Sequence, residues 1–149
     1  MIGKLLLLLS VCCLIFMPLR TLNAEDENKA IEGTWIVVGG EIGGQKLPGE
    51  SLKDAAAGAA AGKLILTDGH YTYQNDQGTY KLNPADKPKT MDITGTAGPN
   101  QGKTFLAIYE VAGDTLKICY DLGGKMRPSE FTTKAGTKQF LAVYQRAKP

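Results

Sequence analysis

The sequence predicts an all-β domain: one antiparallel unit of eight or nine short strands with one short helix. Three observations point there. From Gly33 to Arg146, short stretches alternate apolar and polar residues, the period of a strand with one buried face. Turn pairs punctuate them at Asp68-Gly69, Asp76-Gln77-Gly78, Asn83-Pro84, Gly98-Pro99-Asn100, Gly113-Asp114 and Gly123-Gly124. Many short strands at even spacing mean a sandwich or a barrel. Finally, Gly33-Thr34-Trp35 opens the first strand and Arg146 closes the last.

The chain has 149 residues, and residues 1–24 read as a secretory signal. Lys4 supplies a positive start, Leu5 to Met17 is a nearly unbroken apolar run of 13 residues, and Leu22-Asn23-Ala24 ends in a small residue. The run is short of the roughly 20 residues that span a bilayer, so no integral membrane segment is expected after cleavage. Leu9-Ser10-Val11-Cys12 is a poor lipobox, because Val11 stands where a small residue is needed. The expected location is secreted, periplasmic or cell-envelope. Removing 24 of 149 residues leaves 125, residues 25–149, enough for one domain with a real core.

Cleavage also removes Lys4 and Arg20, so 17 basic residues become 15 against 15 acidic ones. A neutral domain has no electrostatic footprint for nucleic acid. Cys12 and Cys13 leave with the signal, and Cys119 alone cannot form an internal disulfide. It reads as a strand residue.

Residues 25–32 form a polar lead-in with room for one helical turn. The predicted strands are 34–41, 63–67, 70–75, 78–83, 89–94, 103–111, 114–120, 129–133 and 138–146. Gly39-Gly40 and Gly43-Gly44 form a flexible bend, because no Gly-Lys-Ser/Thr ending follows to make a phosphate cradle. Between the first two strands, Ser51 to Gly62 is alanine-rich, with Ser51 as N-cap and Gly62 as stop. It reads as a short helix or loop bordering one mouth. Lys87-Pro88-Lys89 reads as a solvated turn.

Alternation places Trp35, Val37, Leu64, Leu66, Tyr71, Tyr73, Tyr80, Leu82, Met91, Ile93, Leu116, Ile118 and Tyr120 on the buried face. Lys63, His70, Lys81, Asp92, Lys117 and Asp121 fall on the other. Residues 104–111 and 139–144 are apolar on both faces, so their outer side should be covered by a helix, a loop or a partner.

Gly33-x-Trp35 with Arg146 resembles the lipocalin and wider calycin barrels. That resemblance implies a single antiparallel lipocalin-like β-barrel in which Gly33, Trp35 and Arg146 close one end. A guanidinium over an indole face is worth about 0.5–2 kcal/mol. A closer resemblance lies in Gly78–Pro84, Lys87–Ile93, Gly102-Lys103-Thr104, Ala107–Glu110, Gly113–Tyr120 and Arg127–Phe131. These are similar to a lipocalin-like domain family found largely in planctomycete bacteria. The family brings no established activity, and the alanine-glycine stretch 55–62 looks expanded relative to it.

Catalytic chemistry is thin. His70 is the only histidine, at a hairpin turn. Neither Cys-x-x-Cys, His-Glu-x-x-His nor Gly-x-Ser-x-Gly occurs. No catalytic residue, metal site or cofactor is expected, and the chain reads as a non-enzyme. Tyr71, Tyr73, Tyr80 and Tyr120 share the face of Trp35 and are the candidate ligand-binding residues. Two readings stand for them. They could fill a core, the commoner outcome in small barrels, or line a pocket. The functional expectation is an exported binding module for a small, partly apolar ligand or a short peptide. The alternative is a cell-envelope protein–protein interaction or structural domain that uses the outer faces of 104–111 and 139–144.

Overall fold

The computed structural model describes residues 23–48 and 62–148. A helix, α1 (Ala24–Ile31), leads into β1 (Gly33–Ile42), β2 (Gln45–Pro48), β3 (Lys63–Thr67), β4 (His70–Tyr73), β5 (Asp76–Asn83), β6 (Thr90–Ala97), β7 (Thr104–Ala112), β8 (Thr115–Asp121) and β9 (Gln139–Arg146). Apart from β2, each strand pairs antiparallel with its neighbour in the chain, and β9 returns to β1, so eight strands close a barrel. The ninth, β2, pairs with Gly39–Ile42 of β1, while β3 takes Gly33–Ile36 on the same edge. The fold class is as the sequence predicts.

Strand interiors follow the alternation. Trp35, Val37, Leu64, Leu66, Tyr71, Tyr80, Met91, Ile93, Leu116 and Ile118 all join one core with Tyr109 and Tyr144. A register shift between Val37 and Gly39 turns Val38 outward, where it is exposed.

Three expectations are corrected. The stretch 129–133 is not a strand. It belongs to a strap, residues 122–138, that crosses the outside of β7–β9. Phe131 packs there on Ile108, Cys119 and Leu141, so the outer apolar face is covered by the chain itself. The strap is held by side chains, not by a ladder. Arg127 donates to the carbonyls of Met91 and Ala107. Glu41 accepts from the Thr133 amide and from the hydroxyls of Thr132 and Thr133. Asp121, read as solvated, is buried and accepts the amides of Gly123, Lys125 and Met126.

The helix or loop expected at 51–62 lies outside the described residues except for Gly62, which is in a turn. The described helix is α1, in the polar lead-in where the sequence left room for one helical turn. The Asn23 side chain caps it by accepting the Asp26 amide at 2.9 Å, and Glu25, Asp26 and Glu27 suit the positive end of its dipole. The cleavage point expected after Ala24 falls at the first residue of α1. The third correction is Lys89. It is no solvated turn residue: its Nζ lies 2.5 Å from Glu27 Oε1, and the Glu27 side chain is 3 % exposed.

The strap's carboxylates carry a pH prediction. The Thr133 amide, then the Thr132 and Thr133 hydroxyls, hold Glu41 below its ordinary pKa. For Asp121 burial raises the pKa, but the amides of Met126, Lys125 and Gly123 outweigh it and the net shift is downward. A depressed folded pKa stabilises fully above the unfolded value, about 4 for a carboxylic acid, and this stability is lost as pH falls through the folded value. The melting temperature should therefore fall as the pH drops below about 4. Asp121→Asn should flatten that dependence in thermal melts, and an unchanged slope would contradict it.

Candidate functional site

One end of the barrel is shut. Trp35 is fully buried, and the Arg146 guanidinium lies over its ring, 4.1 Å from the centroid. Trp35 Nε1 donates to the Ile31 carbonyl at 2.8 Å. Arg146 donates to the carbonyls of Glu32 at 2.7 Å and Ala30 at 2.8 Å, tying down the end of α1. Gly33 has φ +132°, and a Cβ there would sit 2.8 Å from an Arg146 guanidinium nitrogen. Only glycine meets both conditions. Glu27 of α1 accepts the buried Tyr109 hydroxyl at 3.1 Å. Arg146→Ala should lower stability by about 1–3 kcal/mol, from the lost cation–π contact and the packing of its stem. Chemical denaturation measures this, and a solvent-exposed tryptophan emission in the folded wild type would contradict the arrangement.

Above the floor the barrel is hollow. A cavity of about 550 Å³ is lined by Tyr71, Tyr73, Tyr80, Tyr120 and Tyr144, with Phe105, Phe140, Met91 and aliphatic residues between them. The packed-core expectation for the tyrosine face thus does not hold. All four candidate tyrosines reach the same void. The lining runs out to Lys103 and Leu122, both exposed, so the cavity meets solvent at the end away from Trp35.

The polar groups on the wall are few. Tyr71 donates to Asp76 Oδ2 at 3.0 Å. Asn100 approaches the same carboxylate twice, through Nδ2 at 2.8 Å and its amide at 3.2 Å. The hydroxyls of Tyr120 and Tyr144 lie 3.4 Å apart. The Tyr80 hydroxyl is buried without a hydrogen bond of good geometry among the described residues. Its polar surroundings are the Gly69 amide and the charges of Glu32 and Asp68.

Burial pushes the Tyr80 pKa up to about 12. Burial, then the Asp76 carboxylate, raises Tyr71. Burial also raises Tyr73, Tyr120 and Tyr144. All five hydroxyls are therefore neutral near pH 7, able to donate and accept.

No family model matches the chain, nor does any curated protein or solved structure. The strand order by itself defines the architecture: an eight-stranded antiparallel barrel compatible with a lipocalin-like fold.

The sequence reading missed Tyr144, Phe105 and Phe140, although Tyr144 sits two residues before Arg146 and shares its face. It also missed Asp76 and Asn100, for which no local pattern gave a signal. His70 is exposed, with Nδ1 2.9 Å from the Asp68 carbonyl. Cys119 is buried under the strap, and burial, then the Glu41 charge, pushes its pKa up to about 11, which leaves the thiol unreactive. Among the described residues, no group of three His, Cys, Asp or Glu side chains could hold a metal ion. No helix among them is long and apolar enough to cross a membrane.

Proposed function

We propose that this chain is an exported, non-enzymatic binding module that holds a small, partly apolar molecule inside the barrel, and that it belongs with the lipocalin-like domains of planctomycete type. One observation carries the reading: a cavity of about 550 Å³, closed at the Trp35 end and walled by five tyrosines. That volume lies inside the range of small-molecule sites, roughly 300–1,000 Å³. Aromatic walls with a few fixed polar groups suit an apolar body with one polar end.

The envelope-interaction reading depended on the outer faces of 104–111 and 139–144. Ile108, Cys119 and Leu141 are covered there by the strap, which takes away its main surface.

Two measurements test the proposal. Native mass spectrometry of protein purified from its own source should show a non-covalent adduct, and N-terminal sequencing should begin at Glu25. A neutral fluorescent probe, phenylnaphthylamine, should bind saturably and lose about tenfold or more in affinity in Ile93→Trp, whose added ring occupies the void. An adduct-free mass together with no saturable probe binding would overturn the reading.

A further inference from the structure

Among the described residues, two charged side chains reach the cavity wall, Asp76 and Lys103. They are not equivalent. Lys103 is exposed at the rim, and its Nζ donates to the Pro99 carbonyl at 3.3 Å. Asp76 is 9 % exposed. Its oxygens receive three donors, the Tyr71 hydroxyl and two nitrogens of Asn100, and all three are neutral. Among the described residues, no lysine, arginine or histidine forms an ion pair with it.

A buried carboxylate without a counter-charge is costly, and it is ordinarily matched by a cation. Two carboxylate oxygens offer about four acceptor sites. Among the described residues, Oδ2 takes the Tyr71 hydroxyl and Asn100 Nδ2, while Oδ1 takes only the Asn100 amide, which leaves one acceptor position on Oδ1 open to them. The rest of the wall is rich in tyrosine and phenylalanine, whose ring faces attract cations and whose area holds an apolar body.

We propose that the ligand is an apolar organic amine, bound with its protonated nitrogen donating to Asp76 and its hydrocarbon or aromatic body lying among the tyrosines toward Trp35. This rests on the cavity reading above and narrows it to one charge and one polar contact. The open position on Oδ1 calls for an N–H donor, so a primary amine fits better than a quaternary ammonium of the same body.

Isothermal titration of the full mature protein at neutral pH with phenylbutylamine, phenylbutanol and phenylbutyrate tests this. These probes share one body and differ in charge. The amine should bind about tenfold or more tighter than the alcohol, a difference of about 1.4 kcal/mol. Its trimethylammonium analogue should be weaker than the amine. Asp76→Asn should bring the amine down to the affinity of the alcohol and leave the alcohol unchanged, while Lys103→Ala should leave the ranking intact.

An amine no tighter than the alcohol would overturn the inference and leave the cavity reading standing. So would phenylbutyrate binding best, which would move recognition to Lys103. Failure of every probe, including neutral phenylnaphthylamine, would remove both. The wild-type ranking decides the matter even if Asp76→Asn does not fold.

Discussion

Lys89→Met is expected to destabilise the protein by about 3–5 kcal/mol, the range for breaking a buried ion pair by removing one partner. The reason is the asymmetry of the pair. Lys89 keeps 25 % of its side chain exposed and can return to water, whereas Glu27 is 3 % exposed and cannot. With Lys89 gone, the Glu27 carboxylate would retain, among the described residues, only the Tyr109 hydroxyl. For a domain of this size the melting temperature should fall by about 10 °C or more. A second variant checks the cause. Glu27→Gln in the Lys89→Met background keeps a hydrogen bond to Tyr109 without the buried charge, so it should recover at least half of the loss. A double-mutant cycle measures this coupling. Equal and additive losses would mean that packing of the stems, not the charge, sets the cost.

Gly78→Ala should be nearly as damaging, and it should also reach the cavity. Gly78 pairs with Tyr71 across β4 and β5, and the Tyr71 ring lies over its bare backbone. An added Cβ would stand 2.0 Å from the Thr94 carbonyl oxygen and 2.5 Å from Tyr71 Cε1. The first of these is backbone and cannot swing aside. Overpacking of this kind costs about 1–3 kcal/mol and more where the backbone must move. Tyr71 would be pushed off Gly78, and its 3.0 Å bond to Asp76 would break. A variant that still folds should therefore lose affinity for any cavity ligand, by about tenfold on the scale of one lost polar contact. A crystal structure of that variant with Tyr71 unmoved would contradict the account.

The four candidate tyrosines were legible because each sits at a period-two position on a strand and shares a face with Trp35. Their company was less so. β9 is apolar on both faces, so the spacing of Tyr144 two residues before Arg146 was the one hint that it points in. Its pairing with Leu116 of β8 and Val37 of β1 places it in the core. The covering of the outer face was foreseen, but its agent was mistaken for a strand. Residues 129–133 read Ser-Glu-Phe-Thr-Thr, β-prone in composition, yet Phe131, their one apolar side chain, packs on a sheet rather than joining one.

The sequence by itself determined the fold class, the number of strands to within one and the inward residues of most of them, because these depend on local alternation and turn signals. The Trp35–Arg146 closure was legible only through the resemblance of Gly33-x-Trp35 and Arg146 to lipocalin barrels. The tertiary structure alone decided the rest. Asp76 meets Asn100 across 24 residues, Lys89 meets Glu27 across 62, and Glu41 meets Thr133 across 92. No spacing rule encodes such pairs, because barrel closure brings them together. A helical turn at 25–32 was legible, but not that α1 buries a glutamate, which is tolerable because Lys89 and Tyr109 meet it. Whether the interior is filled or hollow is likewise a property of volume. It depends on the side chains that eight strands send inward together, and no single strand contains that sum.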